Sequence, residues 1–239
     1  MEKNDFFKTL LDTVSREYSG MDSDSGVWRQ LLAEQPRTVH ELKIAPQIKT
    51  EEININRNSS AAESSGTLAS TDMASLAKMV KDCHKCNLRG GCKQTVFGEG
   101  NYHADLMFVG EAPGAEEDAT GRPFVGKSGQ LLDKMIQAMQ FQRSEVFIGN
   151  IIKCRPPGNR NPMPEEADAC IGYLKRQIEL IKPKALVLLG ATPLLFLMNI
   201  SGIKRNRGKW LEYNGIPVMP TFHPAYLLHS PGDKRLVWE

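Results

Sequence analysis

"DLMFVGEAPG", Asp105 to Gly114, is a short apolar run that stops abruptly in glycine, a carboxylate and proline. An apolar run of this length without polar alternation is the mark of a strand buried on both faces. Three more follow: "VFIGN" (146–150), "ALVLLG" (185–190) and "IPVMPTF" (216–222). Helix-patterned stretches, "SGQLLDKMIQAMQ" and "PEEADACIGYLKRQIELI", separate the first three, and "TPLLFLMNI" precedes the fourth. Strands alternating with helices predict an α/β fold of three layers, α/β/α, around a four-stranded parallel sheet.

Each run gives way to a loop of glycine, proline and polar residues: "GEAPG", "GNIIKCRPPGN", "GATP" and "TFHPAY". Ligands of open parallel sheets bind beyond the carboxyl ends of the strands, so these loops are expected to converge on one site. That site would gather a carboxylate, Glu111, an amide, Asn150, and an imidazole, His223.

The chain has 239 residues, room for one substantial domain with appended material. No apolar run is long enough to span a bilayer, and "MEKNDFF" lacks the basic-then-apolar order of a secretory signal; a cytoplasmic protein is expected. Residues 1–75 carry 8 Lys+Arg against 12 Asp+Glu, and residues 76–239 carry 22 against 16. The positive excess therefore falls on the part that folds. Its local cluster "KRNRGK", Lys204 to Lys209, is compatible with a polyanion. The N-terminal portion divides into a helical extension over 1–45 and a disordered linker over 46–73, before a globular domain over 74–239. Phe6, Phe7, Leu10, Leu11 and Val14 recur at helical spacing, which suits a helix docked on its own domain or on a partner. "ININRNSSAAESSGTLAST" is too polar to offset its ordering entropy.

"GRPFVGKSG", Gly121 to Gly129, fits the phosphate-loop pattern of nucleotide hydrolases. A phosphate loop starts directly at a strand end. Here Gly121 stands eleven residues after Gly110, and the intervening "EAPGAEEDAT" carries four acidic groups. Pro123 removes a backbone donor as well. The nucleotide-hydrolase reading is therefore the weaker alternative, although "GKSGQLL" could still hold a DNA phosphate at a helix N-terminus.

All five cysteines lie between 83 and 170. Cys83 and Cys86 form a C-x-x-C pair, and Cys92, Cys154 and Cys170 follow. Such a pair with two further thiolates suits zinc or an iron–sulfur cluster, and buried structural cysteines remain the simpler alternative.

"GEAPGAEEDATGRPFVGKSGQLL", "NIIKCRPPGNRNP" and "TFHPAYLL" resemble the family-4 uracil-DNA glycosylases over about residues 76–239. The resemblance implies a 4Fe-4S cluster on Cys83, Cys86, Cys154 and Cys170, with Cys92 as an extra cysteine. It implies a monomer acting on uracil-containing DNA, single- and double-stranded, in base excision repair. Phe124 would stack under the flipped base beside Gly110, Asn150 would read its edge, and His223 would hydrogen-bond its 2-carbonyl. Glu111 would orient or activate the attacking water, and Glu117 would stand against the methyl of thymine. Leu227 would be the wedge filling the vacated stack, while Ser128 and Gly158 would lie at DNA phosphates. A non-catalytic iron–sulfur nucleic-acid-binding domain of the same fold is the other alternative. The chain departs from the pattern at His229, where the family often has arginine, and it stops at "KRLVWE", short of the family's usual closing helix, as a fragment or abbreviated version would. The first 75 residues would recruit a repair or replication partner.

Overall fold

The computed structural model describes residues 72–238. Asp72 caps the first helix, α1 (Met73–Lys81), its carboxylate accepting at 2.8 Å from the Ser75 amide. The helical extension expected over 1–45 and nearly all of the linker expected over 46–73 lie outside the described residues.

The chain continues through α2 (Leu88–Gly91), β1 (Glu99–Gly100), β2 (Leu106–Gly110), α3 (Ala115–Thr120), α4 (Lys127–Ala138) and β3 (Phe147–Asn150). A 3-10 turn at Pro157–Asn159 leads into α5 (Pro164–Ile181), β4 (Ala185–Leu189), α6 (Ala191–Met198) and α7 (Ile203–Asn206). Then come β5 (Leu211–Tyr213), β6 (Ile216–Thr221), α8 (Pro224–His229), a second 3-10 turn at Pro231–Lys234 and α9 (Arg235–Trp238).

The four expected strands form the parallel centre of the sheet, β3-β2-β4-β6. The sheet itself has six strands, in the order β1-β3-β2-β4-β6-β5, because short antiparallel strands close both edges. The expected count of four is corrected on that point. β1 and β5 are two and three residues long, too short to carry a period-2 signal. They cover the edges that β3 and β6 would otherwise leave unpaired.

Side chains alternate across the sheet as the pleat requires. Met107, Val109, Phe147, Leu186, Leu188 and Val218 belong to a core completed by Leu76, Val80, Leu174, Ile178 and Leu194, from α1, α5 and α6. Leu106, Phe108, Ile148, Ala185 and Leu189 belong to a second core, completed by Leu132 and Ile136 of α4. Three layers result. α5 matches the helix-patterned stretch residue for residue, and its start is well specified: Pro164 stands at N1, and the Glu166 carboxylate accepts from the Met163 amide at 2.8 Å.

The phosphate-loop alternative fails at this level. Gly121 ends α3 in the left-handed region (φ 72°), so "GRPFVGKSG" joins one helix to the next rather than leaving a strand. No helix among the described residues is long and apolar enough to cross a membrane.

Candidate active site and cysteine recess

The carboxyl ends of β3, β2, β4 and β6 lie side by side in that order. Gly110 is in register with Asn150, and the Gly190 amide donates to the Thr221 carbonyl at 2.9 Å just before the segment that carries His223. Beyond β2, the Ile151 and Ile152 amides donate to the carbonyls of Gly110 and Glu111, each at 3.0 Å, fixing the two loops against each other. The parallel sheet thus assembles what the sequence scatters over more than a hundred residues.

Asn150 is 2% exposed, and its Oδ1 is buried with no hydrogen-bond partner. An orphaned buried acceptor costs about 1–3 kcal/mol, so this one calls for a donor from outside the chain, a ligand or a water. A Cβ built on Gly110 would stand 2.5 Å from that oxygen and 2.5 Å from the Phe124 ring. Glycine at 110 is therefore what allows the amide and the ring to border one space. The Phe124 and His223 ring centroids are 5.6 Å apart, at an interplanar angle of 31°.

His223 caps α8 with its side chain: Nδ1 accepts from the Ala225 amide at 3.1 Å. An Nδ1 that accepts leaves the proton of the neutral ring on Nε2, which can then donate to a ligand. Burial lowers the His223 pKa from 6.5 to about 4, only partly countered by Glu117. The ring is therefore neutral at physiological pH. Glu111 receives a hydrogen bond at Oε2 from the Thr192 hydroxyl, in the first turn of α6.

Phe124 itself is held in an unfavourable backbone state, with φ 49°. Three groups impose it. The Phe124 carbonyl approaches so closely that a Cβ at Gly129 would stand 1.9 Å from it. Glu117 accepts from the Val125 and Gly126 amides at 2.9 and 3.0 Å through Oε1, and from the Gly114 amide at 3.0 Å through Oε2. On the other side, the Arg143 guanidinium donates to the carbonyls of Pro123 and Phe124 (2.5 and 3.2 Å) while pairing with Asp133 (2.7 Å) and Glu99 (3.3 Å).

Glu111, Glu117, Gly110, Phe124, Asn150 and His223 therefore belong to one neighbourhood. The acidic turn around Glu117 is not a solvated one: Glu117 and Asp118 are buried, and Asp118 accepts from the Lys93 amide at 2.9 Å. Ser128 lies in the first turn of α4, and Gly158 takes φ 63° in the turn after β3. Leu227 is 2% exposed in α8, which packs on α4, whereas Leu228 is 38% exposed. Adjacent helix positions point about 100° apart, so the leucine that α8 turns outward here is Leu228 rather than the expected Leu227. Arg143 and Thr192 were not singled out from the sequence; Thr192 lies in the expected loop "GATP" and Arg143 in no motif, and each acts on a partner far away in the chain.

The cysteines gather on the other face of the sheet from Phe124. Cys83, Cys86, Cys154 and Cys170 line one recess with Arg89, Lys153 and Tyr173, and Cys92 lies against Cys154. Burial raises the thiol pKa values of Cys86 and Cys154, and takes Cys170 up to about 11 against the pull of Lys153. Among the described residues, no three His, Cys, Asp or Glu side chains converge closely enough to hold a single metal ion. The donor set nonetheless fits a larger thiolate-bound group of negative charge. Arg89 Nε is a buried donor without a partner on this recess. The fully buried Lys153 ammonium has only neutral partners, Gln177 Oε1 at 2.7 Å and the Phe97 carbonyl at 3.1 Å. The Lys153 amide donates to Cys170 Sγ at 3.3 Å.

A parallel α/β sheet with a carboxylate, an orphaned amide and a neutral imidazole around a buried ring has the makings of a site for a flat, hydrogen-bonding ligand. The family model described as Uracil DNA glycosylase superfamily matches residues 97–239, and the chain belongs to that superfamily. Over 174 residues it is 44% identical to the Type-4 uracil-DNA glycosylase of Thermotoga maritima, covering 70% of this chain and 90% of that one. Two proteins of Pyrobaculum aerophilum sharpen the comparison. The chain is 41% identical over 169 residues to its Type-4 uracil-DNA glycosylase (67% of this chain, 86% of that one). It is 30% identical over 151 residues to its Type-5 uracil-DNA glycosylase (56% and 66%). The type-4 branch is the one this chain falls in.

Proposed function

We propose that this protein hydrolyses the N-glycosidic bond of uracil in DNA, leaving an abasic site for base excision repair. The observation that carries the reading is the buried, unpartnered Asn150 Oδ1 beside the Phe124 ring. An edge that donates from N3 and accepts at O4 satisfies a fixed amide; cytosine inverts that pattern and would leave the amide mismatched.

The nucleotide leaves the stack to enter the pocket. Phe124 carries the base, and His223 donates from Nε2 to O2, where charge accumulates as the C1′–N1 bond breaks and its electron pair passes to the base. Water adds to C1′, and Glu111, held by Thr192, orients it and takes up its proton. Glu117 excludes the thymine methyl together with the loop that it braces. Ser128 and Gly158 contact phosphates, and a leucine of α8 fills the vacated stack, with Leu228 the outward one. Cys83, Cys86, Cys154 and Cys170 would hold a 4Fe-4S cluster. Bound there, the cluster would cross-link the segment around α2, the loop after β3 and helix α5. Residues 1–75 are read as a site for a repair or replication partner.

The test is excision without ATP or magnesium from a labelled oligonucleotide with one uracil, followed by alkaline cleavage. Cleavage above a thymine control is expected, and its absence would leave the non-catalytic binding domain. Iron and sulfide analysis of anaerobically purified protein tests the cluster: a brown preparation holding both is expected, and a colourless zinc protein would overturn it.

A further inference from the structure

The cationic cluster that begins in α7 and runs on toward β5 has no part in the site described above. Lys204, Arg205 and Lys209 are exposed, and none forms an ion pair with a described carboxylate. The segment is not a loose tail. The Asn206 side-chain amide donates to the Ser201 and Gly202 carbonyls at 3.0 and 2.9 Å, the Arg207 amide donates to Ile203 at 2.8 Å, and the Lys209 amide donates to Asn206 at 3.2 Å.

Its position is equally well defined. The Gly208 amide donates to the Pro220 carbonyl at 2.9 Å, seating the loop beside the carboxyl end of β6, three residues before His223. Arg207 turns inward: its guanidinium lies 5.2 Å from the Phe222 ring and donates to the Leu236 carbonyl at 2.7 Å. One cation of the cluster is thus spent on anchoring the loop to the segment that carries His223. The other three face solvent on the loop seated beside the carboxyl end of β6.

We propose that Lys204, Arg205 and Lys209 form a phosphate-contacting ridge that engages the DNA backbone flanking the extruded nucleotide. This rests on the uracil-excision reading for the identity of the polyanion. Unpaired cations fixed beside a pocket draw a phosphodiester chain toward it, and each phosphate they neutralise releases condensed counterions. The partner is the duplex backbone itself, read without regard to sequence.

The experiment measures binding of the full chain to a labelled duplex carrying one abasic-site analogue, which cannot be turned over, across a range of salt concentrations. The variant Lys204→Ala/Arg205→Ala/Lys209→Ala keeps the anchoring Arg207. A charge-matched variant, Lys78→Ala/Lys81→Ala/Lys175→Ala, removes three exposed cations from α1 and α5. The slope of log K against log salt is expected to become shallower by about 2–3 in the ridge variant, roughly 0.9 per lost contact, and to hardly change in the matched one. Equal slopes in both variants, whether flattened or not, overturn the proposal. Excision by the wild-type protein is read separately. Uracil release with no ridge dependence sinks the ridge alone, and ridge-dependent binding without uracil release sinks the glycosylase reading alone.

Discussion

Replacing Arg143 with alanine tests whether the aromatic floor of the pocket is held from behind. Its guanidinium reaches two consecutive carbonyls, Pro123 and Phe124, and is kept in place by Asp133 and Glu99. Hydrogen bonds from a charged group contribute about 1.5–3 kcal/mol each. The side chain is 20% exposed, so water restores part of what is lost. Against this stands the left-handed backbone of Phe124, which costs about 1–2 kcal/mol in a residue with a Cβ. Glu117 still holds Val125 and Gly126 in the variant, so the loop is loosened rather than released. A net loss of about 2 kcal/mol for the ring-in conformation follows, or roughly 30-fold in kcat/KM. Single-turnover excision and inhibition by free uracil should weaken together, while affinity for undamaged DNA stays the same. Arg143→Lys should recover part of the loss. Arg122→Ala is the control, because Arg122 shares Glu99 but lies outward on the surface. Arg143→Ala with unchanged uracil inhibition, or Arg122→Ala equally impaired, would refute the reasoning.

Two further predictions concern the pocket itself. His223 has a native pKa of about 4 against 6.5 when unfolded, so between those values only the unfolded chain takes up the proton. Stability therefore falls as pH drops from about 6.5 to about 4, by up to about 3 kcal/mol, and this share should vanish in His223→Gln when urea denaturation is compared across pH. The excision rate should show no inflection assignable to His223 near neutrality. Gly110→Ala places a methyl 2.5 Å from both the Asn150 oxygen and the Phe124 ring. Excision should fall by at least about 100-fold with duplex affinity retained, and a variant with normal turnover would show that uracil does not enter there.

The central architecture was legible because it is written in local pattern. Apolar runs of five or six residues marked β2, β4 and β6, and α5 has both a proline start and an 18-residue periodic face. β1 and β5 were not, since they owe their pairing to neighbours and not to their own composition. The same division holds at the site. Asn150 ends a strand, Glu111 directly follows one and His223 stands two residues beyond one, positions that sequence alone can assign. Arg143 supports Phe124 through main-chain carbonyls 19 and 20 residues away, and Thr192 reaches Glu111 across 81. Backbone carbonyls carry no residue identity, so no motif could announce Arg143. At α8 the expectation named Leu227, but which leucine faces outward depends on how the helix packs, and Leu228 is the exposed one.

The nine residues of "GRPFVGKSG" show how context overrides a motif. Its glycines match the spacing of a phosphate loop, yet Gly129 is small because the Phe124 carbonyl presses against it, not because a phosphate does. The deciding residues stand upstream, in α3. Glu117 takes up the Val125 and Gly126 amides, two of the donors that a nucleotide phosphate would have needed. Asp118, next to it, binds the Lys93 amide in the segment that follows Cys92. Two adjacent buried carboxylates therefore turn a would-be anion loop into a braced wall around Phe124 and tie that wall to the cysteine-bearing segment. Glu117, one of the acidic residues that counted against nucleotide binding in the sequence, is in the fold what shapes the loop around Phe124.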